Sequence, residues 1–217
     1  MSVAAKICGL KDEIALATAV NGGARFVGFV FYEPSPRSLA PERAAALTAR
    51  VPPGIVKVGL FVDAADEAIA RVLEQVPLDL LQLHGGETPE RLAAVKMRFR
   101  LPAMKAIPVA GPADLAVADA YLGAADWLLF DAKAPRDLAG ALPGGNGLAF
   151  DWRLLGERRW SLPWMLSGGL NAENLAEAVG TTHAKAVDVS SGVESRPGIK
   201  DPAKIAAFLD AARSIPI

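Results

Sequence analysis

The sequence holds one cysteine and two histidines among 217 residues, and these scarcities exclude several kinds of protein. A lone cysteine closes no internal disulfide, so a disulfide-built extracellular scaffold is not expected. With only His84 and His183 available, a histidine-rich metal centre is not expected either. Neither sign of charge dominates: 23 Lys and Arg face 24 Asp and Glu, spread along the chain, which leaves no basic footprint for nucleic acid. No stretch approaches the roughly 20 uninterrupted apolar residues that cross a bilayer. Lys6 and Lys11, with nearby acids, interrupt the N-terminal segment where a secretory signal would need an apolar run. No linker, low-complexity tract or heptad pattern divides the chain. One domain spanning 1–217 is expected, cytoplasmic, working on a small molecule without nucleic acid or membrane, as a monomer or homodimer.

What is present is alternation. Short apolar, β-branched runs at 3–8, 26–31, 55–62, 78–83, 102–107, 127–131, 163–167 and 186–190 read as strands. Between them, segments with an apolar period near 3.6 predict helices near 11–21, 41–50, 65–75, 88–97, 112–121, 151–157, 171–179 and 201–213. Pro41, Pro89, Pro112 and Pro202 suit a first helical turn, where a missing N–H costs nothing. Asn21-Gly22-Gly23 and Gly180 read as helix ends. Eight βα units at about 27 residues each predict an α/β fold, a (β/α)8 TIM barrel, in preference to an open doubly wound sheet. The long irregular stretch at 132–149, with Pro135, Pro143, Gly144, Gly145 and Gly147, suggests a working loop.

In such a barrel chemistry collects at the C-terminal ends of the strands. Strand 1 ends in Lys6-Ile7-Cys8-Gly9, strand 4 in Gln82-Leu83-His84-Gly85, strand 6 in Phe130-Asp131, and strand 8 in Asp188-Val189-Ser190. Glycine-rich turns follow the last two strands, Ser167-Gly168-Gly169-Leu170-Asn171 opening into a helix and Ser190-Ser191-Gly192, which together suit a phosphate cradled by backbone N–H groups. Gly144-Gly145-Asn146-Gly147 offers that site a third side.

Cys8 alone would read as a small buried hydrophobe, but its place at a strand end before a glycine makes it a candidate base. An ordinary thiol, with a pKa of about 8.5, is only slightly ionised at neutral pH, so such a base needs a cation nearby. Strand alternation puts Lys6 on the face of Cys8, inside the barrel. Asp131 follows a strongly apolar strand, a setting that raises a carboxyl pKa and suits a general acid, unless the residue only caps its turn. Arg37, in a Pro-stiffened loop, either grips a carboxylate bidentately or is solvated. His84 is either a donor to substrate or a satisfied interior histidine. Asp188 either binds a substrate hydroxyl or orients a polar neighbour.

In their order these pieces, with Gly28-Phe29-Val30-Phe31, Ser35-Pro36-Arg37, Val58-Gly59-Leu60-Phe61-Val62, Val193-Glu194 and Pro197-Gly198-Ile199-Lys200-Asp201, resemble the phosphoribosylanthranilate isomerase family of tryptophan biosynthesis along nearly the whole chain. The resemblance implies an Amadori rearrangement with no cofactor. Asp131 would be the acid that opens the ribose ring, and Cys8 the base that takes the C2 proton. Arg37 would hold the anthranilate carboxylate, and Gly145, Gly168, Gly169, Ser191 and Gly192 would line the phosphate pocket. The analogous histidine-pathway isomerase carries an aspartate where Cys8 stands, which argues against that alternative.

Overall fold

Each apolar run forms a parallel strand, and the strands close on themselves in chain order: β1 (Ala4–Cys8), β2 (Phe26–Val30), β3 (Val56–Phe61), β4 (Leu80–Leu83), β5 (Ala103–Val109), β6 (Trp127–Ala132), β7 (Trp164–Leu166) and β8 (Ala186–Val189). The computed structural model describes residues 2–133, 142 and 144–216. A helix follows every strand: α1 (Glu13–Asn21), α2 (Pro41–Thr48), α3 (Asp66–Leu73), α4 (Pro89–Phe99), α5 (Pro112–Asp119), α6 (Arg153–Gly156), α7 (Leu175–Thr182) and α8 (Pro202–Ser214). The expected (β/α)8 barrel is therefore the fold. All four first-turn prolines open their helices as expected. Asp12, Thr88 and Asp201 cap helices by accepting backbone N–H groups that the first turn leaves unpaired.

Three local readings are corrected. Gly180 lies inside α7, which runs on to a left-handed cap at His183 (φ 57°). The glycine turn after β7 does not open directly into a helix. Residues 171–174 intervene, folded by the side chains of Asn171 and Asn174 onto nearby backbone N–H groups. An antiparallel hairpin, β9 (Glu194–Arg196) and β10 (Ile199–Lys200), stands between β8 and α8 where no strand was expected. Within the working loop, Pro135 and Pro143 lie outside the described residues, and Ala132 belongs to β6.

Alternation along the strands separates two cores. Outward residues such as Ile7, Phe29, Leu81 and Phe130 pack under the helices with Leu16, Leu92 and Phe208. Inward residues Phe26, Val58, Leu80, Met104, Leu129 and Met165 fill the barrel near its N-terminal end. Each such side chain contributes about 1.5–3 kcal/mol through burial. Above that plug the interior turns polar, with Lys6, Gln82 and Asp188 all buried. Nearer the mouth stand Cys8, Val30 and Leu60.

A buried clamp on the outer side of the sheet fixes the β4 end. Lys105 Nζ donates to the carbonyls of Leu83 (3.3 Å) and Gly85 (2.6 Å) and to Glu87 (2.9 Å). Glu87 in turn accepts the N–H groups of Asp63 and Gly85, joining the loops after β3 and β4. Breaking a buried pair strands a charge, so Lys105→Ala is expected to lower stability by about 3–5 kcal/mol in urea denaturation. A loss below about 1 kcal/mol would show that the clamp is idle.

Candidate active site

The four strand ends singled out in the sequence converge on one cleft at the C-terminal face, walled in part by Cys8, Arg37, His84, Asp131 and Ser191. His183 lies at the other end of the barrel, beside Lys185 and Ala186. Among the described residues no cluster of three or more His, Cys, Asp or Glu side chains is placed to hold a metal ion, and no helix is long and apolar enough to cross a membrane.

Cys8 closes β1 on the inner face, and Lys6 lies two residues before it on that face, fully buried. Lys6 Nζ donates to Asp188 Oδ1 at 2.8 Å, across the seam where β1 pairs with β8. The other Asp188 oxygen accepts from Ser167 Oγ at 3.1 Å. Burial alone would push the Lys6 pKa down, but the Asp188 carboxylate, with a smaller contribution from Cys8, lifts it above the ordinary lysine range. Burial pushes the Cys8 thiol up. Lys6 opposes that shift, Asp188 reinforces it and Lys200 opposes it, leaving the thiol above its usual value. Of the two alternatives for Asp188, orienting a polar neighbour is the one these bonds exhibit.

Asp131, at the end of β6, has more polar company than its apolar strand suggested. Its Oδ1 accepts the N–H of Ala132 at 2.9 Å, and its Oδ2 lies 3.3 Å from His84 Nε2. His84 Nδ1 faces Gln82 Nε2 at 2.8 Å. With the amide nitrogen donating there, a neutral His84 carries its proton on Nε2, against Asp131. Gln82 is completely buried, and its Oε1 finds no partner among the described residues although it borders the cleft. It received no role from the sequence. The signal was a glutamine two places before His84, on the same inner face of an apolar strand.

Arg37 is neither solvated nor waiting with an open fork. It is only 5% exposed, and its Nε and Nη2 already grip Glu194 bidentately at 2.8 and 2.9 Å. Nη2 also donates to Gly145 O at 3.1 Å, while Nη1 makes no hydrogen bond to the described residues. The carboxylate in its fork is thus internal, although the side chain also borders the cleft. Glu194 further accepts from Lys200 Nζ (2.8 Å) and Gly198 N (3.2 Å). Burial raises the Glu194 pKa, but Arg37 and Lys200 more than reverse this and hold it below the glutamate range. Burial pulls Lys200 below the usual lysine range against the opposing pull of Glu194, and its Nζ also donates to the carbonyl and hydroxyl of Ser190. Glu194 and Lys200 had no assigned role; they lie only six residues apart, but the link from Glu194 to Arg37 spans 157 residues, which spacing does not reveal.

The glycine turns meet as expected. A Cβ on Gly192 would lie 1.9 Å from Leu170 O, so the turns after β7 and β8 touch where only glycine fits. Gly168 and Gly169 both have positive φ (90° and 65°). Gly147 stands near Ser191, but Gly144 packs against Asp131 and His84 and Gly145 against Arg37. The 144–147 segment therefore lies partly over the acid.

Residues 5–211 match the family model described as N-(5'phosphoribosyl)anthranilate (PRA) isomerase. The chain is 63% identical over 215 residues to N-(5'-phosphoribosyl)anthranilate isomerase of Rhodospirillum centenum, covering 99% of this chain and 100% of that protein. Its backbone is similar to phosphoribosyl anthranilate isomerase of Thermotoga maritima (TM-score 0.86, 37% identity, 98% of this chain and 100% of that one). A solved isomerase in complex with reduced 1-(o-carboxyphenylamino)-1-deoxyribulose 5-phosphate gives a TM-score of 0.82 at 35% identity, with 98% and 100% covered.

The depressed Glu194 and Glu87 values fix the sign of an acid response. The unfolded chain takes up these protons first, so stability is complete above the ordinary glutamate pKa of about 4.3 and declines as pH falls through the lower folded values. Urea unfolding at a series of pH values should show this decline; a flat profile below pH 4 would contradict the network.

Proposed function

The chain belongs to the N-(5'-phosphoribosyl)anthranilate isomerase family, and from that premise we propose which of its groups perform the reaction. It isomerises N-(5'-phosphoribosyl)anthranilate in tryptophan biosynthesis. The product is 1-(2-carboxyphenylamino)-1-deoxyribulose 5-phosphate.

Asp131 protonates the ribose ring oxygen, and the ring opens to an iminium ion. That cation acidifies the neighbouring C2–H, so Cys8, as thiolate, takes the C2 proton and leaves an enolamine that tautomerises to the ketone. The observation that carries this reading is that Cys8 and Asp131, from β1 and β6, border one cleft together with the glycine turns of β7 and β8. The phosphate rests against Gly168, Gly169, Ser191 and Gly192, while Gly145, expected beside it, packs against Arg37 instead. Being remote from the reacting carbon, it lends binding energy to the positioning of C2. Arg37 offers its Nη1 to the anthranilate carboxylate, while Glu194 holds its fork and Gly145 O accepts from Nη2. His84 orients Asp131, and Asp188 holds the polar floor at Lys6 and Ser167. Asp188 also stands as a contact for a ribose hydroxyl.

The protein works as one domain over 1–217, in the cytoplasm, on one small molecule and without nucleic acid, as a monomer or homodimer. A net charge of −1 and its even distribution support that reading.

Loss of phosphoribosylanthranilate fluorescence follows turnover directly. Cys8→Ala and Asp131→Asn should each lower kcat by about 10²–10⁴-fold. No turnover by the unaltered protein would refute the assignment, and near-normal kcat in Cys8→Ala would remove Cys8 as base. Gly192→Ala tests the phosphate turn separately. Its new Cβ meets Leu170 O, so KM should rise at least about tenfold, equivalent to one charge-assisted hydrogen bond of about 1.4 kcal/mol or more. An unchanged KM would move the phosphate elsewhere.

A further inference from the structure

The mechanism above uses Cys8 as a thiolate, yet burial alone favours the neutral thiol. The group that offsets this burial lies directly beneath. Cys8 and Lys6 project from the same face of β1, and both close over Gly28 of β2. A Cβ on Gly28 would sit 3.0 Å from Cys8 Sγ and 3.3 Å from Lys6 Cε. The missing side chain is what lets the thiol and the lysine stem pack together, and Cys8 pairs in register with Gly28. Lys6 Nζ has no access to solvent and one anionic partner, Asp188 at 2.8 Å.

We propose that Lys6 is a positioning residue for catalysis, a buried permanent cation that lowers the cost of forming the Cys8 thiolate, with Asp188 as the counter-ion that keeps it charged and aimed at the strand end. This rests on the reading of Cys8 as base. Ionisation releases the thiol proton to solvent through the cleft, and the thiolate then accepts the C2 proton and is again a thiol.

The charges that face Cys8 are few. Lys6 from β1 and Lys200 from β10 favour the thiolate, and Asp188 from β8 disfavours it. Asp131 and His84 stand across the cleft from β6 and the end of β4. Asp188 alone would suppress ionisation; the adjacent ammonium reverses its field at the sulfur. Lys6 is thus more than a structural plug. A methionine would fill its volume and leave Asp188 without its cation, whereas lysine supplies the larger of the two positive charges that favour a second anion here.

The sole cysteine makes the test direct, because alkylation by iodoacetamide reports one thiol. The pH dependence of that rate gives the thiol pKa without reference to turnover. In Lys6→Met the apparent pKa is expected to move up by about 1 or more, the usual effect of losing an adjacent opposite charge. Alkylation at pH 7.5 should fall at least about tenfold and recover at high pH. In the same variant kcat should fall by a similar factor, with KM within about threefold of the parent and partial recovery of kcat as pH rises.

Should the unpaired Asp188 prevent folding, Lys6→Met/Asp188→Asn removes both charges. The thiol pKa should then still rise, by less, since Lys6 acts on Cys8 more strongly than Asp188 does. A parental pH dependence of alkylation in whichever variant folds would overturn the proposal. So would an equal loss of rate at every pH, the mark of a purely structural role. If Cys8→Ala retained turnover, the base assignment would fail while the alkylation data still decided whether Lys6 sets the thiol pKa.

Discussion

The mouth of this barrel rests on one lysine ammonium buried beneath the strand ends. Lys6 and Asp188 are directly paired across the β1–β8 seam, the contact that closes the barrel. A buried ion pair is a weak source of net stability, since desolvation offsets most of its attraction. Its value here is register. A slip of one residue in β1 would turn Lys6 outward and an apolar neighbour inward, leaving Asp188 unpaired in the interior. The pair therefore penalises a slip of one residue, and the closure it favours brings Cys8 beside Gly28 and over the polar floor.

A second buried carboxylate does comparable work at the rim. Glu194 receives both nitrogens of the Arg37 fork, the Lys200 ammonium and the Gly198 N–H. One side chain thus joins the loop after β2, the β9–β10 hairpin and, through Lys200, the Ser190 end of β8. Gly198 lets the hairpin turn approach Pro36 so closely that a Cβ would lie 2.3 Å from Pro36 O. Arg37 loses its freedom in this arrangement and gains a fixed orientation. Its conformational entropy is spent on folding, and not at the moment a ligand binds.

The sequence was legible where information is local. Apolar runs, first-turn prolines and strand alternation gave the eight βα units and put Lys6 on the face of Cys8. The rule that barrels work at their strand ends brought Cys8, His84, Asp131 and Asp188 to one side. What stayed hidden was pairing at long range: Lys6 with Asp188, 182 residues apart, and Arg37 with Glu194, 157 apart. Arg37 shows the consequence, because its side chain type suggested a carboxylate partner correctly while nothing local revealed that the fork is filled from within. Gly28 and Gln82 were hidden for a different reason. A glycine or glutamine inside an apolar strand has no signature until its neighbours across the sheet are known. The β9–β10 hairpin, with strands of three and two residues, is too short for any period to register.

The two reacting groups also differ in their company, and the difference follows from strand position. On the β1–β8 side three charged groups act on Cys8, namely Lys6, Asp188 and Lys200, with cations in the majority among the described residues. On the β4–β6 side, among the described residues, Asp131 receives no lysine or arginine. Its contacts are a backbone amide and an imidazole that is itself held by an amide side chain. A thiolate needs positive charge nearby to form in a buried site, while a carboxyl that must give up a proton and regain it gains nothing from a permanent cation alongside. Moving Lys6 to the β6 side would weaken both roles together. The placement of acid and base is in this sense a placement of lysines, and the barrel separates them by distributing charge unevenly around one closed sheet.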